Sequence, residues 1–396
     1  MKNRESKVLT VILLLVGLFL AAIPFALAQA TTEFSGLITT NMTWTKQQSP
    51  FVFTGPVTIV NGATLTIQPG VSIILGSTYT LTVNGTLLAR GNSTDPIRFT
   101  GGSTSGFGPI IFASFSSSWN EQTATGCIIE NAIFGTTGID VENASPKINN
   151  CTFSNSGIVI NAASRGSPII SNNTIKGLGT LSSLGISCGG NAVITGNNIS
   201  GLQTGIKVFL GNATIANNII WNNSLTSSGG EGVSIEYRSD FGAVTSPTIS
   251  NNTIIYNYVG ITLVGSPTPK IFYNNINNNT NYNINIDNIT VAYYPKGGNI
   301  NATYNYWGTA NATLINRTIW DFKNDFALGN VTYAPFLNAS NPAAPPVPVP
   351  GIFIPEFLES PAIFATIVLI TFGAVATGRF ALRGRRTKFL SSPPGR

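Results

Sequence analysis

The side chains of this chain that could do chemistry are mainly carboxylates, because the sequence has no histidine. Enzymes that cleave polysaccharides use two or three carboxylates in one groove, or a calcium site beside a basic residue. The nearest sets are Glu231, Glu236 and Asp240 with Arg238, and earlier Glu130, Asp140 and Glu142. Glu231 and Glu236 have an odd spacing, which on one strand points side chains to opposite faces. We interpret these groups as solvated surface charges and Glu231, Glu236, Arg238 and Asp240 as weak catalytic candidates.

Aromatic side chains near the second set could bind a sugar. The candidates are Trp221, Tyr237, Tyr256 and Tyr258, with Tyr273 nearby. A flat ring offers a face for a sugar, but aromatic residues also simply fill β-structure, and both readings stay open. Segments 221–230 and 236–247 are expected to project as loops, where binding tends to reside on a rigid scaffold.

The composition excludes several kinds of site. Without histidine there is no His-based triad and none of the usual zinc sites, and we expect no metal and no cofactor. Cys127, Cys151 and Cys188 would allow one disulfide and one free thiol, but they do not fall at equivalent repeat positions. Buried, unpaired thiols are the favoured interpretation.

The net charge of +6 lies at the two ends of the chain. Residues 1–28 hold three basic and one acidic side chain, residues 356–396 hold six and two, and the segment between holds twelve of each. Both charged ends adjoin apolar runs, which is typical of membrane topology signals. No basic patch is left for DNA or RNA, so no nucleic-acid partner is expected.

The N-terminus has the pattern of an export signal. Lys2, Arg4 and Lys7 precede an apolar run, and Ala26-Leu27-Ala28 matches a cleavage site. Residues 1–28 are therefore predicted to be a signal peptide with a helical apolar region. An uncleaved anchor is the alternative.

The C-terminus has the pattern of a membrane anchor. Residues 338–355 form a Pro-rich linker, expected to be extended. Within 356–380, the apolar run Ala362–Gly378 is long enough for one transmembrane helix, and the basic tail 381–396 would stay inside. Ile354-Pro355-Glu356-Phe357 before this run resembles the PEF-type sorting tails of archaeal surface proteins. That resemblance implies processing by an archaeosortase, with plain retention of the span as the alternative.

The middle of the chain is a repeat. Pairs of apolar residues five apart recur, most of them 19 to 24 residues from the next pair: Ile129/Phe134, Ile148/Phe153, Ile170/Ile175, Ile194/Ile199, Ile215/Ile220, Ile249/Ile254 and Ile271/Ile276. The period is too short for helical pairs, and the segments are short and rich in β-branched residues. This pattern predicts an all-β protein, a right-handed parallel β-helix of eleven to thirteen coils whose repeats occupy 101–337.

An asparagine recurs at one position in five of the seven repeats. The third position of the unit holds Asn173, Asn197, Asn218, Asn252 and Asn274, after Ala132 and Cys151 in the earlier copies. Such an asparagine can adopt the left-handed conformation in a turn, and its amide can bond its equivalent one coil away. We expect a structural ladder that begins at Asn173.

The segment 29–100 differs from the rest. Its strands alternate polar and apolar residues between Asn-Gly and Pro-Gly turns, as at Asn61-Gly62 and Pro69-Gly70. It is predicted to form the first coils and to cap the open end of the core.

These segments, with Asn305-Tyr306-Trp307-Gly308 and Val331–Leu337, resemble archaeal and bacterial surface proteins with parallel β-helix repeats. That group includes carbohydrate-binding and sugar-hydrolase repeat domains and the periplasmic β-helix protein of nitrous-oxide reductase maturation. The resemblance covers residues 34–337 and implies the fold. It leaves the function open, because this scaffold carries lyases, hydrolases, adhesins and spacers.

The leading hypothesis is a non-catalytic, glycosylated, exported protein that is tethered to the cell surface and serves adhesion, envelope structure or glycan binding. Its expected partners are the membrane, envelope polysaccharides and the sorting enzyme. Among many sequons, Asn41, Asn92 and Asn311 are expected to carry glycans first. The alternative is a surface polysaccharide hydrolase or lyase with its site near 221–247.

Overall fold

The computed structural model describes residues 31–347, except 77, 102–109, 156–157, 163–165, 179–182, 224–228, 238–244 and 288–296. The chain divides into two compact units, Met1–Pro346 and Val347–Arg396. No helix within the described ranges is long and apolar enough to cross a membrane. The predicted signal helix, transmembrane helix and basic tail lie outside these ranges, as do residues 348–355 of the predicted linker.

The described strands stack as a parallel β-helix with three faces, in which every pair of neighbouring strands is parallel. The first face is a twelve-stranded sheet: β2 (Met42–Trp44), β4 (Thr64–Ile67), β7 (Thr86–Arg90), β10 (Ile128–Glu130), β13 (Lys147–Asn149), β16 (Ile169–Ser171), β19 (Val193–Thr195), β22 (Thr214–Ala216), β25 (Thr248–Ser250), β28 (Lys270–Phe272), β31 (Ile300–Asn301) and β33 (Val331–Thr332).

The other two faces belong to one 21-stranded sheet, since the long strands β1 (Thr32–Ile38) and β3 (Phe51–Ile59) run along both. The second face holds β5 (Ser72–Ile74), β8 (Ile97–Thr100), β11 (Ala132–Phe134), β14 (Thr152–Asn155), β17 (Thr174–Gly177), β20 (Asn198–Ser200), β23 (Ile219–Trp221), β26 (Thr253–Ile255) and β29 (Asn275–Asn277). The third holds β6 (Leu81–Val83), β9 (Ile110–Phe112), β12 (Ile139–Val141), β15 (Ile158–Ala162), β18 (Leu184–Cys188), β21 (Thr204–Val208), β24 (Glu231–Glu236), β27 (Val259–Val264), β30 (Tyr282–Asp287) and β32 (Ile319–Trp320).

The apolar pairs of the repeat straddle the corner between the first and second faces, called the first corner below. In one coil, Ile170 is the middle of β16 and Ile175 lies in β17, and both are fully buried. Each is in register with its equivalent one coil away, so like side chains form columns. Such columns bury apolar surface away from water. Each coil pairs only with the coils next to it, so its strands need the correct register with those neighbours alone.

Phenylalanine fills the second-face column in the early coils. The rings of Phe99, Phe134 and Phe153 stack with centroids 4.9 and 4.3 Å apart and nearly parallel planes. Further along, isoleucines such as Ile175 and Ile199 take over the same column. The interior is therefore a continuous apolar column from the first coils to the last.

The N-terminal strands form the first coils, but their turns do not close hairpins. Asn61-Gly62 precedes β4, yet β4 pairs in parallel with β2 and β7 rather than with the strand before it. Gly62 and Gly70 both have positive φ, at 85° and 77°, and turn the chain at coil corners. At the open end, the Trp44 ring stacks on Phe51 with centroids 4.3 Å apart and is almost fully buried.

The C-terminal end is closed by a short helix and a returning segment. Helix α1 (Ala312–Arg317) begins at Asn311, whose Oδ1 accepts from the backbone N–H groups of Thr313 and Leu314. Residues 338–346, called the strap, then run back along the solenoid wall. Asn341 N donates to Asn275 Oδ1 at 2.7 Å, Thr253 Oγ1 donates to Pro345 O at 2.5 Å, and Ala344 is buried. This part of the predicted extended linker is therefore docked on the wall.

Candidate functional site

A file of buried asparagine side chains runs along the first corner. Asn173 Nδ2 donates to Asn197 Oδ1 at 3.0 Å, and the same bond joins each next pair in turn. The file continues through Asn197, Asn218, Asn252 and Asn274 to Asn305, with separations of 2.9 to 3.0 Å. Each Nδ2 also donates to a backbone carbonyl, so these buried amides are satisfied.

The left-handed residue of this corner is not the ladder asparagine but the residue before it. Asn172, Asn217 and Asn251 have φ between 54° and 57°, and Gly196 has φ of 69°. The turn expected at the ladder position is thus displaced by one residue. The reason is geometric: the left-handed residue swings the chain around the corner and leaves the next side chain pointing inward, where it bonds its neighbours.

A second asparagine file, which the sequence interpretation missed, lies at the corner between the second and third faces. Asn223 Nδ2 donates to Asn257 Oδ1 at 3.0 Å, and Asn257 Nδ2 donates to Asn279 Oδ1 at 3.1 Å. Asn279 Nδ2 then donates to Asn283 Oδ1 at 2.9 Å. The signal was present, because an asparagine follows five residues after Asn218, Asn252 and Asn274.

A cleft of about 260 Å³ opens on the third face, beside this second file. Its lining residues are Gln203, Thr204, Gly229, Gly230, Glu231, Tyr258, Val259, Thr262, Asn285 and Asp287. It crosses β21, β24, β27 and β30, so four neighbouring coils contribute to it. The lining combines one tyrosine ring, two carboxylates, two amides and two threonine hydroxyls, which is the chemistry that hydrogen-bonds and stacks against a sugar.

Glu231 and Tyr258 are the predicted residues that the structure brings together here. Glu231 is the first residue of β24, and its Oε2 accepts from Thr204 Oγ1 at 3.3 Å. Tyr258 is 38% exposed and immediately precedes β27. Gly229, with φ of 75°, lies so close to its ring that a Cβ there would be 3.2 Å from Cδ1. A glycine is needed because the loop both turns left-handed and packs against the tyrosine.

Glu236 lies at the other end of β24 and does not line the cleft. Its Oε1 pairs with Lys207 Nζ at 2.6 Å. Arg238 and Asp240 lie outside the described residues. Asp287, which was not a candidate, lines the cleft from β30 and is in register with Glu236 through Val264.

The other aromatic candidates lie elsewhere. Trp221 was expected on a projecting loop, but it is the last residue of β23, and its Nε1 donates to Asn198 Oδ1 at 2.8 Å. Trp221 is therefore part of the second face, held by a cross-coil bond. Tyr256 is half exposed at the corner after β26, and Tyr237 follows β24, with its N–H donating to Val264 O. These three residues do not line the cleft.

The earlier acidic set is dispersed. Glu130 lies on the first face and its Oε1 accepts from Asn149 Nδ2 at 2.7 Å, whereas Asp140 lies on the third face. Burial raises the pKa of Asp140, with the nearby charge of Glu142 adding to the effect. Across the described ranges, no three Cys, Asp or Glu side chains come together in a way that could hold a metal ion.

The three cysteines are buried and unpaired. Burial raises the pKa of Cys127 to about 11 and that of Cys151 and Cys188 to about 12. Such thiols stay protonated at neutral pH and act as small apolar groups. Cys151 occupies the rung before Asn173 and its thiol donates to Asn149 O at 3.2 Å.

The sequon asparagines Asn41, Asn92 and Asn311 are exposed. Asn41 Oδ1 accepts from Thr64 N, and Asn92 Oδ1 accepts from the backbone N–H groups of Thr94 and Asp95. Asn311 Oδ1 caps α1. In all the hydrogen bonds described for these three side chains, the asparagine Oδ1 is the acceptor. None of these bonds uses Nδ2, the atom that would carry a glycan.

The stacked parallel coils and the cleft in their wall define a parallel β-helix protein with a lateral site. The sequence profile of the family described as "Right handed beta helix region" matches residues 110–240 and 137–319, which together span more than half of the chain. The chain belongs to this family, and the predicted right-handed all-β solenoid is confirmed.

Two further comparisons complete the picture. Crystal structures of the periplasmic alginate epimerase AlgG and of a point mutant of it are similar to this chain, with TM-scores of 0.35 and 0.36 and identities of 13% and 15%. The matches cover 74% of this chain and 75% and 76% of those chains. Similarity at this level says nothing about the chemistry of this chain. No curated protein matches it.

Proposed function

We propose that this protein is a non-catalytic β-helix that binds glycans through the third-face cleft, at the surface of the cell that exports it. The observation that carries the proposal is the exposed ring of Tyr258, fixed by Gly229 beside the carboxylate of Glu231. An exposed aromatic ring can stack on the apolar face of a sugar. The adjacent carboxylate accepts hydrogen bonds from the sugar hydroxyls, and the amides both accept and donate them.

Register argues for binding rather than cleavage by paired carboxylates. Glu231 and Glu236 are five residues apart on β24, and Asp287 lies in the column of Glu236. The backbones of Glu231 and Asp287 are therefore separated by roughly 16 Å along the strand direction. Glycosidases hold their two carboxyl groups within about 10 Å of each other. The hydrolase or lyase alternative would need a catalytic group from outside this pair.

The test is glycan binding by the purified full-length chain on a glycan array, followed by calorimetry with each ligand found. Tyr258→Ala and Glu231→Gln should each weaken binding at least about tenfold. Tyr256→Ala is the matched control, because that tyrosine belongs to the same coil and is exposed outside the cleft. Equal binding by wild type and Tyr258→Ala would refute the site, and release of shorter sugars that stops in Glu231→Gln would favour the enzyme.

The cellular location is part of the same proposal. Residues 1–28 direct export, 356–380 hold the chain in the membrane or are exchanged by a sorting enzyme, and Asn41, Asn92 and Asn311 carry glycans. Mass spectrometry of the protein from its native membrane tests each statement. It should find a new N-terminus at Gln29 and sugar on these three asparagines. A soluble, unmodified chain starting at Met1 would contradict the proposal.

A further inference from the structure

Two tyrosines occupy strained backbone positions at the first corner. The residue before each ladder position, including those held by Ala132 and Cys151, has positive φ along the corner: Asn131, Asn150, Asn172, Gly196, Asn217, Asn251, Tyr273 and Tyr304. Asparagine and glycine tolerate this left-handed conformation, whereas a bulky aromatic residue adopts it only at a cost. Tyr273 and Tyr304, with φ of 57° and 59°, are the last two of this series.

The cost is not offset by burial. The side chains of Tyr273 and Tyr304 are 44% and 47% exposed. Their ring centroids are 5.8 Å apart, with planes tilted by 35°, and the Phe272 ring meets Tyr273 edge-on at 5.7 Å. The pair, called the tyrosine edge below, therefore presents two neighbouring aromatic rings to solvent. Strain at exposed residues of this kind is typical of functional positions.

Amide groups continue the line of the tyrosine edge. Asn251 and Asn217 hold the same corner position in the two coils before Tyr273. Asn217 is exposed, and Asn251 Oδ1 accepts from Asn341 Nδ2 of the strap at 3.0 Å. Along one corner the surface thus offers two exposed rings, the half-buried amide of Asn251 beside the strap, and the exposed amide of Asn217, one side chain per coil. Coils are spaced at ~4.8 Å, close to the length of one pyranose unit in an extended chain.

We propose that the tyrosine edge is a second binding site, which takes a saccharide chain lying parallel to the solenoid axis. Successive sugars stack on Tyr304 and Tyr273, and their hydroxyls hydrogen-bond the exposed amide of Asn217 and Nδ2 of Asn251, whose Oδ1 is bonded to the strap. The ligand is a neutral oligosaccharide of several units, since the groups along the corner are rings and amides rather than charges. The site lies at the first corner and does not depend on the third-face cleft.

The test uses the full-length chain carrying Tyr258→Ala, so that the cleft does not contribute. Hexasaccharides of glucose, mannose and N-acetylglucosamine are titrated and followed by saturation-transfer NMR and calorimetry. At least one should bind, and Tyr273→Asn with Tyr304→Asn should weaken it at least about tenfold. Because asparagine suits the left-handed turn, the same variant should keep its melting temperature or gain roughly 1–2 °C.

Tyr273→Phe with Tyr304→Phe is the matched control and should retain binding, because the rings remain. The opposite results overturn the proposal: no binding of any hexasaccharide at millimolar concentration, or undiminished binding by the asparagine variant. A melting temperature lowered by several degrees in that variant would also overturn it, since the tyrosines would then be structural. The Tyr258→Ala change removes binding in the third-face cleft and should not alter binding at the tyrosine edge.

Discussion

The buried thiols occupy positions that apolar or amide side chains fill in neighbouring coils. Cys188 is in register with Ala162 in one neighbouring coil and Val208 in the next, so its column is a core column. Burial raises its pKa from 9.0 to about 12. Above pH 9 the unfolded chain loses this proton and the folded chain keeps it, so stability is full below pH 9 and falls as the pH rises towards 12.

At pH 10 each buried thiol should lower the free energy of unfolding by about 1 kcal/mol. Cys188→Ala should therefore lose less stability between pH 8 and pH 10 than the wild type, by about that amount. Urea unfolding at both pH values measures it. Ser187→Ala, a nontitrating change in the same strand, should keep the wild-type loss. If Cys188→Ala lost as much stability between pH 8 and pH 10 as the wild type, this would contradict a raised pKa of the buried Cys188 thiol.

At the scale of single elements, the buried polar side chains of the asparagine ladder lie at a corner and not within the apolar interior. Replacing Asn197 by Ala would remove the partner of Asn173 N and Nδ2 and the donor to Ile170 O and Asn218 Oδ1. Leaving several buried groups unpaired should cost about 3–5 kcal/mol. Thermal or urea unfolding measures the loss. Asn191→Ala is the control, because that side chain is exposed, and a comparable loss there would contradict the ladder's role.

The ladder position of the coil before Asn173, which Cys151 occupies, allows the complementary experiment. The Cys151 thiol donates to Ile129 O and Asn149 O, much as Asn197 Nδ2 donates to Ile170 O and Thr195 O. Cys151→Asn should extend the file by one rung, because its Nδ2 could reach the oxygen of Asn173 that Cys151 N already uses.

The Cys151→Asn chain is expected to be as stable as the wild type or about 1 kcal/mol more stable. Cys151→Val, which removes the donor while filling the site, should be less stable than the wild type. Urea unfolding of both variants at pH 7 compares them. Lower stability of Cys151→Asn than of Cys151→Val would contradict the equivalence of this position with the ladder.

The elements were predictable where a local rule repeats. Apolar residues five apart, as at Ile170 and Ile175, reveal two faces and the corner between them, because a parallel coil aligns each position with its equivalent. The second asparagine file could have been found by the same spacing. The cleft could not be predicted, because Glu231 and Asp287 line it from opposite ends of their strands in different coils, and the repeat period does not record which residues border a cleft. Trp221 was misplaced because a change of period was taken for a loop.

At the scale of the whole described solenoid, stability is shared between neighbouring coils rather than across one globular core. A solenoid of this kind opens from its ends, so the terminal segments decide how readily it frays. At the C-terminal end the strap bridges two neighbouring coils: Asn341 bonds Asn275 and Tyr273 O of one coil and Asn251 of the coil before it. The strap also covers Thr253, whose hydroxyl donates to Pro345 O.

Asn341→Ala should release the strap and speed hydrogen exchange at the backbone N–H groups of Ala344 and nearby strap residues. The final coils should open more readily by about 1–2 kcal/mol, since several hydrogen bonds are lost. Hydrogen exchange measured by mass spectrometry resolves this from the early coils, which should not change. The control is Asn338→Ala, an exposed strap residue. Equal exchange in both variants would contradict a clamping role for Asn341.

The amide file has one more consequence, which concerns length. In every rung the nitrogen points towards the C-terminal neighbour and the oxygen towards the N-terminal one. A unit cut out between equivalent points, for example after Asn173 and after Asn197, would leave each remaining oxygen opposite a nitrogen. The solenoid could therefore be shortened or lengthened by whole coils while the asparagine hydrogen bonds between the remaining coils are kept. The distance over which it presents its side wall can thus change by duplication or deletion of a unit, without redesign of the rest.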